Sequence, residues 1–103
     1  MAIMVLVTAP KVKAKSLARS ILKQRVCACV NILKEIDSFF WWQGKIDNTK
    51  ESLLMIKTRK SLFSKLKAAI KQAHPYAVPE IIAFDICKIN KEYLNWLKKE
   101  SRG

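Results

Sequence analysis

Glycine is scarce: Gly44 and Gly103 are the only two in 103 residues, beside three prolines and one histidine, His74. Neither a GxGxxG turn nor a phosphate loop ending in Gly-Lys-Ser/Thr occurs, so the usual nucleotide cradles are excluded. The longest apolar run, Ala2–Val7, falls far short of the ~20 residues of a membrane span. It precedes the first lysines instead of following them, which is the wrong order for a secretory signal, so the chain reads as untargeted and cytoplasmic. Acidic residues are few, eight against twenty basic ones, and form no carboxylate pair at a recognisable catalytic spacing. Three cysteines cannot all pair within one chain, which favours free thiols in a reducing compartment. There is no internal repeat and no low-complexity tract.

What is present is the composition of a folding chain, 50% hydrophobic and 27% charged, and of one domain over 1–103. The net charge of +12 asks for an acidic partner or another explanation. Sixteen of the twenty basic residues are Lys and four are Arg. Arg would be expected more often where phosphates or bases are read bidentately, so nucleic acid is not the expected partner. The lysines fall on the polar faces of two predicted helices, where they would keep an assembly soluble.

Ile3–Val7 is a β-branched apolar run suited to a strand covered on both faces. Pro10 suits a first helical turn. Ala14, Leu17, Ala18, Ile21 and Leu22 then recur at helical spacing over 11–25. Residues 26–33 and 39–46 read as one bent strand or two collinear ones, broken by Lys34-Glu35-Ile36-Asp37 as at a bulge. Asp47-Asn48-Thr49-Lys50 is a turn cluster and Ser52–Thr58 the returning strand. Ser61 caps a second helix carrying Leu62, Phe63, Leu66, Ala69, Ile70 and Ala73, which His74-Pro75-Tyr76 ends. Ile81–Cys87 is a fourth strand, and Asn90 caps a terminal helix with Tyr93, Leu94, Trp96 and Leu97.

The order βαββαβ plus a helix predicts an α+β, ferredoxin-like fold: a four-stranded antiparallel sheet with two helices on one face and a long β-hairpin. The other face would remain apolar and open, which predicts a homo-oligomer. Phe39-Phe40-Trp41-Trp42 fits a strand buried between subunits better than an RNA-stacking platform, whose aromatic signature is absent.

Cys27 and Cys29, two apart on a strand, point to one face and could begin a copper or zinc site, but small core residues are the favoured reading, as for Cys87. His74 is either a metal ligand drawing on Glu80, six residues on, or a helix-end histidine bonding the last carbonyls of its helix. A Cys–His nucleophile finds no local orienting group.

Several blocks together resemble the CutA family, the divalent-cation tolerance proteins. They are Val7-Thr8-Ala9-Pro10, Ala28-Cys29-Val30-Asn31-Ile32, Trp42-Gln43-Gly44-Lys45-Ile46, Lys57-Thr58, His74-Pro75-Tyr76, Val78-Pro79-Glu80-Ile81, and Tyr93-Leu94 with Trp96. They run in the family's order over almost the whole chain. The resemblance implies a compact homotrimer joined by its long hairpins, no enzymatic activity, no obligatory cofactor, and a role in tolerance of copper and other divalent cations. A likeness to nitrogen-regulatory PII proteins adds sensing or adaptor function as an alternative. The implied metal ligands are His74, Glu80 and Cys29, and the implied cleft holds Asn31, Trp42, Lys57 and Tyr76. Lys57 would oppose a bare cation. It fits an anionic ligand held with His74 and Tyr76, or an ion pair with Glu51 or Glu80. Where some members carry a cysteine before Thr-Ala-Pro this chain has Val7, and where some have paired histidines it has Ala73-His74. Phe40 replaces the family's usual tyrosine, and Lys34-Glu35 its usual Pro-Gly.

Overall fold

The computed structural model describes all 103 residues. Strand β1 (Ala2–Ala9) leads into helix α1 (Lys11–Lys23), then strands β2 (Cys29–Trp42) and β3 (Lys45–Arg59). A 3-10 turn (Lys60–Leu62) precedes helix α2 (Phe63–Ala73), followed by strand β4 (Ile82–Asp85) and helix α3 (Lys91–Glu100). The strands form one sheet in the order β2-β3-β1-β4, with every neighbouring pair antiparallel. This is the α+β architecture that the sequence predicts.

Side-chain alternation decides what the sheet buries. Ile3, Val5, Val7 and Ala9 of β1 face the helices with Leu54 and Ile56 of β3. Ala14, Leu17 and Ile21 of α1 and Leu66 and Ile70 of α2 close over them. On the other face Met4 and Leu6 are half-buried, and Leu33, Ile82 and Phe84 are exposed in the single subunit. That face is open in the subunit except where α3 packs on β3 near Cys29.

The hairpin is longer than its turn chemistry indicates. Asp47-Asn48-Thr49-Lys50 is strand, not turn: Lys50 pairs with Asp37 and Asp47 with Phe40. The reversal is the two-residue loop Gln43-Gly44 between Trp42 and Lys45, with φ of 50° and 80°. Positive φ at both central residues is the type I′ geometry that matches strand twist. The break after Leu33 is a register shift between Leu33 and Ile36, so β2 is one bulged strand.

The helix boundaries also differ from expectation. Pro10 is the N-cap of α1 and not its first residue, and the helix stops at Lys23 because Arg25 adopts a φ of 61°. Strand β2 starts at Cys29; just before it the Thr58 hydroxyl donates to the Val26 carbonyl (2.8 Å) and the Ala28 N–H to the Lys57 carbonyl (3.0 Å). Ser61 lies inside the 3-10 turn, and the N-cap of α2 is Leu62, without a side-chain cap. Asn90 is the N-cap of α3 but makes no side-chain cap bond. Ala73 and Cys87 are exposed in the subunit, against the expectation that both are core, because the last turn of α2 and the segment after β4 pass outside the layered interior.

Candidate functional site

The residues implied as a site fall into separate places. The first is where α2 ends beside the end of β1. Pro75 forces His74 into extended backbone (ψ 136°) and so breaks the helix. The turn delivers the imidazole into the protein, 7% exposed. Nε2 lies 2.8 Å from the Thr8 carbonyl, and a carbonyl can only accept, so Nε2 carries the hydrogen. Nδ1 accepts the Tyr76 backbone N–H at 3.1 Å. Both ring nitrogens are therefore engaged, and the ring is the neutral Nε2–H tautomer. The ring bonds β1 and not the last carbonyls of its own helix. The Tyr76 hydroxyl donates to Glu51 Oε2 at 2.8 Å. Glu51, 5% exposed, is the only buried charged side chain. Burial first, and the Glu51 carboxylate second, push the Tyr76 phenol up to about 12. A continuous chain thus runs from Thr8 through His74 and Tyr76 to Glu51.

The second place is the start of β2. Cys29 stands opposite Lys57 in the ladder, and Asn31 opposite Met55. Lys57 donates to Asn31 Oδ1, and the Cys29 thiol approaches the same oxygen at 3.7 Å. Lys57 makes no ion pair with Glu51 or Glu80, because it sits at the far end of β3 from Glu51. Helix α3 packs on β3 here and brings Tyr93 to Cys29. Burial, then Cys29, raise the Tyr93 phenol above its ordinary range. Cys27 is 1% exposed in the core, and burial pushes its thiol up to about 12, the state of an unreactive core residue. With β2 starting only at Cys29, the two thiols do not make the matched strand pair that the spacing implies.

Trp42 is elsewhere. It is 60% exposed at the hairpin tip, roughly 40 Å along β2 from Cys29. Glu80 lies exposed in the segment between α2 and β4, with no hydrogen bond or ion pair. His74 bonds Thr8, while Cys29 is level with Met4 through Lys57. That separation is roughly 13 Å along β1 alone. Within one subunit, then, His74, Glu80 and Cys29 do not converge, and no group of three or more His, Cys, Asp or Glu side chains could hold a metal ion. Lys57 is likewise remote from His74 and Tyr76. Tyr93 is not among the site residues expected from the sequence, and Glu51 is expected there only as an acid near the aromatic segments or a partner for Lys57. The one signal for Tyr93 is its place in the Tyr-Leu block. For Glu51 the sequence offers no sign of the Tyr76 hydroxyl, 25 residues on, that meets it.

Comparison with known proteins agrees with the geometry. The sequence profile described as "CutA1 divalent ion tolerance protein" matches residues 3–100. "Protein CutA 1, chloroplastic" of Oryza sativa is 48% identical over 97% of the chain, which spans 57% of that relative's length. The divalent cation tolerance protein (Cut A1) of Thermus thermophilus superposes with a TM-score of 0.96 at 41% identity, covering 99% of this chain and all of that one. A periplasmic divalent cation tolerance protein CutA from Archaeoglobus fulgidus superposes at 0.95 with 36% identity, again over 99% of this chain and all of that one. The chain therefore belongs to the CutA1 family of divalent ion tolerance proteins.

Proposed function

We propose that the chain acts in divalent-cation tolerance as a homotrimer, without catalysing a reaction, by binding copper or zinc weakly at clefts between subunits. The observation that carries this reading is the open sheet face with its projecting hairpin. Leu33, Phe84, Trp41 and Trp42 are between 49% and 72% exposed in the isolated subunit. An apolar surface of that extent is normally covered, and a second and third copy of the same hairpin are the simplest cover. The cation ligands are then drawn from more than one subunit, because one subunit does not gather them. Glu80 supplies a free carboxylate and Cys29 a half-buried thiol. His74 joins only when Nδ1 releases the Tyr76 N–H, which keeps affinity low. The proposed compartment is the cytoplasm, supported by three free cysteines. No helix is long and apolar enough to cross a membrane.

Calorimetric titration with Cu(II) and Zn(II) tests the cation reading. Weak saturable binding is expected, reduced severalfold by Glu80→Gln and by His74→Ala. Affinity unchanged in both variants contradicts the ligand assignment. The alternative, a PII-like sensor for an anionic metabolite, draws on Lys57, whose ammonium has no acidic partner. Asn31 beside it would hold the anion, with His74 and Tyr76 too far away to share it. Saturable anion binding lost in Lys57→Gln would favour that reading over the first.

A further inference from the structure

The net charge is not spread over the molecule. No acidic residue occurs in 11–34 or in 52–79, the stretches that contain α1 and α2. Both helices lack an acidic first turn. Two ion pairs tie the rim of this layer to the sheet, Lys11 with Glu35 at 2.5 Å and Lys60 with Asp85 at 3.4 Å. The cations between them are exposed and have no acidic partner: Lys13, Lys15, Arg19 and Lys23 on α1, and Lys65, Lys67 and Lys71 on α2. Lys11, Lys15, Arg19 and Lys23 recur every fourth residue. They therefore stand in one row along α1, spaced roughly 6 Å apart along the axis. Like charges at that spacing destabilise a helix, as does positive charge at its N-terminus. A role in solubility alone would be met as well by mixed charges, at no such cost.

We propose that this helix layer docks onto the phosphate backbone of double-stranded nucleic acid, without reading its sequence. A line of flexible ammonium groups meets a line of phosphates, and such contacts position a protein without carrying base information. The preponderance of lysine argues against base reading but not against backbone contact. Stacking on single strands needs exposed aromatic rings, and neither helix offers one, since Phe63 is half-buried under Lys67. Anionic membranes suit the layer less well. Interfacial helices insert an apolar face, and here Leu17, Ile21, Leu66 and Ile70 are consumed by the core. Val12 is the only large apolar side chain that the two helices expose.

Fluorescence anisotropy with a labelled random-sequence 30-base-pair DNA duplex tests the assignment. Binding at 50 mM salt is expected to fall linearly in log–log form with salt, with a slope of about −6 if the seven unpaired cations all engage. The variant Lys15→Gln/Arg19→Gln/Lys23→Gln should lose about tenfold or more in affinity and flatten the slope by about 2.7. The control Lys91→Gln/Lys98→Gln/Lys99→Gln removes the same charge from α3 and should change both far less. Equal losses in the two variants would overturn the proposal, since net charge alone would then explain binding. So would absence of duplex binding at 50 mM salt, preference for a single strand of equal length, or tighter binding to phosphatidylglycerol–phosphatidylcholine vesicles than to the duplex.

Discussion

Glu51 is taken out of water by folding, and the hydroxyl that meets it belongs to Tyr76. Removing that hydroxyl leaves a buried carboxylate without its donor, a loss of about 1–3 kcal/mol. Tyr76→Phe should therefore lower stability in urea unfolding by about that amount. Glu51→Gln in the same background should recover part of it. Tyr76 also gives stability a pH dependence. Its phenol is pushed up from 10.0 to about 12, so the folded chain holds this proton more tightly than the unfolded one. The contribution is complete below the unfolded value and is lost as pH rises through the folded value, between 10.0 and about 12. Urea midpoints across that alkaline range should fall more steeply in the wild type than in Tyr76→Phe. Parallel profiles would contradict the assignment. How much of this was legible varies by residue. The Pro75 signal for the end of α2 is local and was readable. The Thr8 carbonyl that holds His74 is 66 residues away, and no local pattern reports such a partner.

At the scale of elements, β1 was legible as a continuous apolar run, while hydrophobic periodicity located α1 and α2 because each buries one face against the same core, and burial is what periodicity records. It failed on the hairpin for the complementary reason. Residues 39 to 50 project beyond the core and are all exposed in the subunit, so no alternation is imposed on them. Asp47-Asn48-Thr49-Lys50 then looks like a loop by composition while lying in register with β2. Backbone conformation settles the turn. Gly44 has a φ of 80° with open space around any added Cβ, so Gly44→Ala meets only backbone strain, a cost of roughly 1 kcal/mol. That should lower the thermal midpoint by about 4–8 °C, read by calorimetry. Gln43 has a φ of 50°, and Gln43→Asn should raise the midpoint, since asparagine tolerates the left-handed region better. An unchanged midpoint in both variants would mean that the tip does not contribute to the cooperative unit.

For the whole molecule, the sequence announced a sheet with one open face, and the subunit has that face. The ligand set was not legible in the same way. Motif residues were grouped because they match one family, yet the fold places His74, Lys57 and Trp42 in three separate regions of the subunit. Residues that share a family motif need not share a pocket within one chain. Assembly is therefore the claim on which the function depends. Native mass spectrometry of the protein, with and without added Cu(II), tests it most directly. The account predicts one species at three times the 11.8 kDa subunit, taking up no more than one copper ion per subunit. A stable monomer at 11.8 kDa that leaves the hairpin uncovered, or a trimer that takes up no copper, would contradict it.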